Sequence, residues 1–167
     1  MPVIKHKDQR VAVLIDVQNM YHSAKNIYHA RVNFKVVLNA AVAGRKLIRA
    51  LGYVIETESG EEKNFFEALN KSGIEIKSKA LQIFPGGMKK ADWDVGIVLD
   101  ALELSKKVDA IILVTGDGDF IPLISYAKLN GAQVEVMAFG KSTSSRLIKT
   151  ADDFTDLGKS PEKFLIK

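Results

Sequence analysis

Residues 110–120, with the sequence AIILVTGDGDF, decide the fold of this chain. The apolar run that opens this stretch predicts a short strand covered on both faces, and Asp117 and Asp119 follow it. Residues 11–16, VAVLID, repeat the pattern, because a second apolar run ends in Asp16. Strands covered on both faces need a layer of helices on each side of their sheet. The two stretches therefore predict an α/β fold, a three-layer α/β/α sandwich with a mostly parallel central sheet.

The rest of the chain alternates amphipathic segments with further short strands, as this fold requires. No linker or repeat interrupts the alternation, so we expect a single domain over residues 1–158. An edge strand is predicted near 154–157, followed by a loosely attached C-terminal tail over 159–167. Two predicted helices carry apolar sets that share a side: Phe65, Phe66 and Leu69 in the helix over 61–71, facing inward, and Val95, Val98, Leu99 and Leu102 in the helix over 92–105.

Composition and charge limit the classes of function. The 167 residues include no cysteine, which excludes disulfides and thiolate metal sites, and three histidines, which argues against structural zinc. No apolar run reaches the roughly 18 residues of a membrane helix. The first ten residues also lack the apolar segment of a signal peptide. We therefore expect a cytoplasmic protein without a membrane partner. The net charge of +4 permits a polyanionic partner without requiring one.

The aspartates that follow the two apolar strands are expected to converge. Ligands bind beyond the carboxyl ends of strands in open parallel sheets, so Asp16, Asp117 and Asp119 should share one edge. Asp94 opens the next predicted helix and is the fourth candidate. Carboxylates brought together repel, so one of them takes up a proton or the site binds a metal ion. The sequence therefore predicts a site for Mg²⁺ or Mn²⁺, which prefer such hard oxygen ligands.

Each of these aspartates also has a purely structural interpretation. Asp16 can cap the helix that follows it, and residues 117–119 can form an Asp-Gly turn and a cap. Asp92 and Asp94 suit the start of a helix because of its dipole. Asp100 lies six residues after Asp94, about 240° around a helix, so the two cannot both face one metal ion. We place Asp100 at the edge of the site.

Basic residues near the acidic edge are candidates for contact with a polyanion. Lys77 and Lys79 share one face of a predicted strand, and Trp93 and Tyr21 could stack on bases. A solvated surface is the alternative interpretation for the charges, and core packing or a homodimer contact is the alternative for the rings. The residues assigned to nucleic-acid binding are Lys89, Lys90, Lys141, Ser144 and Arg146.

Three segments of the chain resemble, in order, the signatures of NYN-domain proteins, which belong to the PIN-like nuclease superfamily. They are residues 13–19 (VLIDVQN), 90–102 (KADWDVGIVLDAL) and 114–120 (VTGDGDF). Residues 151–154 (ADDF) resemble the closing motif of the family. The resemblance covers roughly residues 10–157, and it implies a PIN-like fold and Mg²⁺- or Mn²⁺-dependent cleavage of RNA.

The resemblance also implies roles for individual residues. Asp16, Asp94, Asp117 and Asp119 match the acidic, catalytic and metal-binding positions of the family, and Asn19 stands beside Asp16. Asp92, Asp100 and Asp152 are secondary candidates, Asp152 because it matches an acid of the closing motif. Many PIN-like enzymes carry a further glutamate on an intermediate helix. Here Glu61, Glu62 and Glu67 lie in a predicted helix but in no recognisable motif.

The leading hypothesis is a ribonuclease, endoribonuclease-like, in which a metal ion held by the aspartates activates water to cleave RNA, single-stranded or structured. The alternative is a catalytically weak nucleic-acid-binding or regulatory module on the same fold. An Asp-dependent phosphatase is disfavoured because Asp16-Val17-Gln18 lacks a second aspartate after the first strand. A dinucleotide-binding protein is disfavoured because Gly116 and Gly118 are not followed by a third glycine, and the aspartates there would repel a pyrophosphate.

Overall fold

The computed structural model describes residues 3–57, 59–60, 62–83, 85, 89–90 and 92–167, with backbone alone for residues 82–83 and 89–90. A six-stranded parallel sheet crosses the molecule in the order β4-β3-β1-β7-β8-β9. Its strands are β1 (Arg10–Asp16), β3 (Lys46–Glu56), β4 (Glu75–Ala80), β7 (Ala110–Val114), β8 (Gln133–Ala138) and β9 (Asp153–Asp156). Two short antiparallel pairs join β2 (Arg31–Val32) to β10 (Leu165–Ile166) and β5 (Gln82–Ile83) to β6 (Lys89–Lys90).

Helices cover both faces of the sheet, which confirms the predicted three-layer α/β fold. The helices are α1 (Val17–Tyr28), α2 (Phe34–Val42), α3 (Lys63–Lys71), α4 (Asp94–Leu104), α5 (Ile121–Leu129), α6 (Ser145–Thr150) and α7 (Pro161–Phe164). Helices α1, α2 and α3 contribute buried side chains to one apolar core, and α4, α5 and α6 contribute to the other.

Strand β1 lies at the centre because both of its faces are apolar. Val13 and Ile15 face the core under α1 and α2, whereas Ala12 and Leu14 face the core under α4 and α5. All four are at most 1% exposed. A strand with no polar face is stable only between two helical layers, so the first apolar run of the sequence fixes the middle of the sandwich.

An ion pair is buried near the amino ends of the strands. The Arg45 guanidinium donates from Nη1 to Glu135 Oε2 at 2.8 Å and from Nη2 to Glu135 Oε1 at 2.9 Å. Its Nη2 and Nε also donate to the carbonyl oxygens of Ala41 at 2.8 Å and Val42 at 3.0 Å. Since Arg45 and Glu135 are 5% and 3% exposed, removing the Glu135 charge leaves the Arg45 guanidinium desolvated and without its counter-charge.

The structure differs from the sequence-based expectations for α4. Ile97, Ala101 and Leu104 face the core, whereas Val95 is 73% exposed and Leu99 is 62% exposed. Helix α4 is apolar around most of its circumference, so periodicity alone does not identify the side that packs on the sheet.

The helix after β3 and the C-terminal tail also differ from expectation. Phe65 is 38% exposed, so it is not a core residue as its spacing suggested, although Leu69 is buried. The tail over 159–167 is not loosely attached: Phe164 is buried and β10 pairs with β2. None of the helices in the described part of the chain combines the length and the hydropathy that crossing a bilayer requires.

We predict that Glu135→Gln lowers the free energy of unfolding by about 3 kcal/mol, because the buried Arg45 keeps its charge without a counter-charge. Urea denaturation of the purified protein measures this change.

The matched control is Glu75→Gln, since Glu75 forms an equally close pair with Arg49 (2.7 and 2.9 Å) at the exposed surface. We expect a loss below about 1 kcal/mol there. Equal losses for the two variants would contradict the assignment of Arg45 and Glu135 to a buried pair.

Candidate metal centre

Strand pairing brings Asp16 beside the loop that follows β7. In the parallel register Ile15 lies opposite Val114, so Asp16, the last residue of β1, lies beside Thr115, the first residue after β7. The Thr115 hydroxyl donates to Asp16 Oδ2 at 3.1 Å. Asp16 also caps α1 by accepting from the Asn19 amide at 3.4 Å. The structural interpretation of Asp16 as a cap is therefore correct, and it coexists with a place at the acidic edge.

The loop over residues 115–119 is held in place by hydrogen bonds. Asp117 Oδ1 accepts from the Asp119 amide at 2.9 Å, and the Asp117 amide donates to Thr115 Oγ1 at 3.3 Å. The Asn19 side chain accepts from the Gly116 amide at 3.0 Å, which ties the loop to α1. A Cβ on Gly116 would lie 2.8 Å from Thr143 Oγ1, so this close approach requires glycine.

The start of α4 is fixed against the sheet by Trp93. Its indole nitrogen donates to the Val54 carbonyl at 2.8 Å, and its ring packs on Tyr53 with centroids 5.3 Å apart. Asp92 Oδ1 accepts from the Asp94 amide at 3.1 Å. These contacts place Asp94 over the carboxyl edge of the sheet, and they assign Trp93 to packing in this structure.

Three carboxylates from two separate segments meet at this edge. One oxygen each from Asp94, Asp117 and Asp119 lies within 4.8 Å of the others. Asp16 is outside this group of three but lines the same pocket of about 150 Å³ as Asp94 and Asp117. Gln18, Asn19, Asp92 and Trp93 complete the wall of this acidic pocket.

Burial and repulsion raise the pKa of two of these carboxyls. Burial is the main cause that raises the pKa of Asp16 to about 6, and the charges of Asp94 and Asp117 add to it. Burial also raises the pKa of Asp94 to about 6, with the charges of Asp117, Asp92 and Asp119 next in importance. Since a divalent cation removes this repulsion, and since the donors are all hard oxygens, the residues fit a hard divalent metal ion.

Two secondary candidates lie away from the carboxylate group. Asp100 accepts from the Tyr53 hydroxyl and from Lys77 Nζ, each at 2.8 Å. Asp152 accepts from the Val134 amide at 2.8 Å. Because Val134 stands near the amino end of β8, Asp152 lies at the opposite edge of the sheet from the acidic pocket. The motif position of Asp152 therefore corresponds to a structural contact.

The structure describes the side chains of three of the five residues predicted to bind nucleic acid, namely Lys141, Ser144 and Arg146. The Ser144 hydroxyl accepts from the Leu147 amide at 3.4 Å to cap α6, and the Ser144 amide donates to Gly116 O at 3.4 Å. Ser144 therefore supports the loop over 115–119. Arg146 is exposed, and the Lys141 ammonium lies 5.6 Å from the centre of the Tyr28 ring. The side chains of residues 89–90 lie outside the described part of the chain.

The additional glutamate of many PIN-like enzymes has no counterpart among the described residues of the acidic pocket. The Glu62 carboxylate accepts from the Thr57 hydroxyl and from its amide, and Glu67 is exposed. Glu61 lies outside the described residues. No role was predicted from the sequence for Thr115 or Gln18. Thr115 directly follows one apolar strand and Gln18 lies two residues after the other, and these positions were the available signal.

The sequence and the fold of this chain are similar to those of other proteins. The NYN domain model matches residues 10–158. The low amplitude and bright protein LabA of Synechococcus elongatus is 23% identical over 160 residues, which are 90% of this chain and 85% of LabA. The uncharacterized protein MJ0482 of Methanocaldococcus jannaschii is 29% identical over 154 residues, 91% of this chain and 57% of that protein. The crystal structure of VPA0982, a protein of unknown function from Vibrio parahaemolyticus, matches with a TM-score of 0.87 and 32% identity, covering 96% of this chain and 98% of that one.

We predict that Asp16→Asn stabilises the metal-free protein near neutral pH by about 1–2 kcal/mol. The folded-state pKa of about 6 lies above the ordinary 3.8, so the free energy of unfolding of the wild type falls as pH rises through that window. The full pKa difference corresponds to at most about 3 kcal/mol, and the expected gain is smaller because Asp16 is not completely removed from water.

Thermal melts in a chelator, from about pH 4 to pH 8, measure this change, and we expect the gain to vanish near pH 4. Asp8→Asn, at an exposed position, is the control and should leave the melting temperature unchanged. A destabilised Asp16→Asn protein at neutral pH would contradict the prediction.

We also predict that Mn²⁺ binds more weakly in acid. At about pH 5.5 the carboxyls of Asp16 and Asp94 hold protons that the metal ion must displace, so the affinity should fall roughly 10-fold from its value near pH 7.5. Isothermal titration calorimetry at the two pH values tests this, and proton release should accompany binding in the lower range. An affinity independent of pH would contradict it.

Proposed function

The chain belongs to the NYN domain family, and from this membership and the carboxylate group we propose that it is a metal-dependent ribonuclease, endoribonuclease-like. The family has a nuclease-like fold, and its domains bind nucleic acid. One observation carries the proposal: Asp94, Asp117 and Asp119 converge within 4.8 Å at the carboxyl edge of a parallel sheet. RNA as the partner, Mg²⁺ or Mn²⁺ as the ion, and a cytoplasmic location are finer parts of the same proposal.

The residues that would hold the ion are Asp94, Asp117 and Asp119, and Asp16 lines the acidic pocket together with the first two. When bound, a divalent ion supplies a lowered pKa for water and electrostatic stabilisation of the phosphate oxygens. Carboxylates offer it a site with positions left for water and phosphate, as Mg²⁺ prefers.

The chain's own residues hold this geometry in place. Asn19 and Thr115 fix the loop over 115–119 and the orientation of Asp16 through the hydrogen bonds described above. Gln18 lines the acidic pocket, where its amide can donate to a phosphate oxygen. Among the described residues of the pocket wall the proton acceptors are carboxylates rather than histidines, so Asp16 is the candidate to accept a proton from water.

A catalytically weak RNA-binding module is the second candidate. The described wall of the acidic pocket contains no glutamate, which favours this candidate. Glu62 does not line that pocket, and its carboxylate accepts a hydrogen bond from the Thr57 hydroxyl.

We predict that the purified protein cleaves labelled single-stranded RNA in Mn²⁺, and that Asp94→Asn and Asp117→Asn each lower the rate roughly 100-fold or more. Asparagine keeps the size and the hydrogen-bond acceptor of the side chain but removes the negative charge that the ion requires. Gel electrophoresis of the products measures the rate.

The matched control is Asp152→Asn, because Asp152 lies at the opposite edge of the sheet and asparagine can still accept from the Val134 amide. Its cleavage rate should equal that of the wild type. RNA binding by the wild type without any cleavage would favour the module instead, and loss of cleavage in Asp152→Asn would contradict the assignment of the site.

A further inference from the structure

We propose that one face of α1 carries a binding track for single-stranded RNA, running from the acidic pocket through an aromatic groove to a basic pocket. This inference rests on the proposed function in taking RNA as the ligand. The three cavities are neighbours along the helix: Gln18 lines both the acidic pocket and the aromatic groove, and Tyr21 and Arg31 line both the aromatic groove and the basic pocket.

The aromatic groove has the size and the lining of a nucleobase site. It encloses about 520 Å³, within the range of small-molecule pockets. Tyr21 is 40% exposed and Phe65 is 38% exposed, so both rings remain accessible for stacking. The Phe34 ring packs against the Phe65 ring at a tilt, with centroids 5.9 Å apart. Glu62 lines the groove too, but its carboxylate is engaged by Thr57.

The basic pocket at the far end of the groove suits a phosphate. It encloses about 350 Å³, and its lining includes the basic side chains of Lys25, Arg31 and Lys167 together with His29. The Lys25 ammonium lies over the Tyr21 ring, 5.9 Å from its centre, so a cation stands at one face of the ring and the opposite face is the one that a base would stack on. Positive groups at this position match the backbone of a nucleic acid strand.

The spacing along α1 aligns these features. Gln18, Tyr21 and Lys25 follow one another at intervals of three and four residues, which places them on one side of the helix. They span about 10 Å at 1.5 Å per residue. Met20 and Ala24 face the core from the other side. The helix therefore presents a site for phosphate, a site for a base and a second site for phosphate in a row.

This order of sites distinguishes a single strand from other occupants. A groove that was only apolar would fit a peptide or a lipid equally well, but this one has a proposed metal site at one end and cations at the other. A ligand that alternates flat rings with negative charges matches that order. The rings inside the groove can be reached by bases only if these are unstacked from a duplex, so we assign the track to single-stranded RNA.

Fluorescence anisotropy with a labelled oligoadenylate RNA tests the track. The full chain carries Asp117→Asn and the buffer contains a chelator, so that binding is measured without cleavage. We expect Tyr21→Ala and Phe65→Ala to weaken binding of the oligomer roughly 10-fold and to leave binding of an abasic oligomer of equal length unchanged. Because Phe65 also packs on its neighbours, Tyr21→Ala, at the more exposed ring, is the decisive variant if the other fails to fold.

The salt dependence of RNA binding tests the basic pocket separately. Lys25→Ala and Arg31→Ala should weaken binding of both oligomers and lower the salt dependence of the affinity by about one phosphate contact each. The matched controls are Tyr126→Ala and Lys106→Ala, exposed residues on and near the helices of the opposite layer, which should bind as the parent does.

The outcomes separate the track from the proposed function. Unchanged affinity in the Tyr21, Lys25 and Arg31 variants overturns the track, even if the wild type cleaves RNA in Mn²⁺. Equal losses in the control variants also overturn it. Base-dependent binding that is lost with Tyr21 supports the track, even if the wild type cleaves nothing, in which case only the proposed hydrolysis fails. Tighter binding of a duplex than of the single strand overturns the assignment of the ligand.

Discussion

The parallel pairing of β1 with β7 is the constraint on which the rest of the molecule depends. Both strands are apolar on each face, so they are stable only in the middle of a sheet with helices above and below. Their register places Ile15 opposite Val114, so the end of β1 at Asp16 lies beside the loop from Thr115 to Asp119 that follows β7. Negative side chains are therefore crowded at one edge by the same apolar contacts that stabilise the core.

Charged side chains are arranged differently at the two edges of the sheet. Near the amino ends, Arg45 and Glu135 neutralise each other in a buried pair. At the carboxyl ends, carboxylates face one another, and burial together with repulsion raises the pKa of Asp16 and Asp94. The first arrangement is complete within the chain. The second is costly without a cation, which is the usual character of a functional site rather than of a stabilising contact.

Much of this arrangement could be predicted from the sequence, because it depends on strand ends. The apolar runs gave β1 and β7 nearly to the residue, and parallel pairing then implied that Asp16 and Asp117 approach each other. The packing of α4 could not be predicted, since a helix that is apolar around most of its surface has no single periodic face. The position of Asp152 was also beyond reach, because its place at the far edge depends on where β9 joins the sheet. The aromatic groove is lined by Tyr21 of α1 and Phe65 of α3. These helices are far apart in the sequence, so no local pattern predicts that the two rings line one groove.

The distance in sequence between the two halves of the acidic edge has a consequence for folding. Thr115 lies 99 residues after Asp16, so their contact closes one of the long loops of the chain and forms late in order of synthesis. A polypeptide that has left the ribosome only as far as α4 contains Asp16 and Asp94 but neither Asp117 nor Asp119. Such a nascent chain cannot assemble the group of carboxylates, so the candidate metal site forms only after synthesis has passed β7.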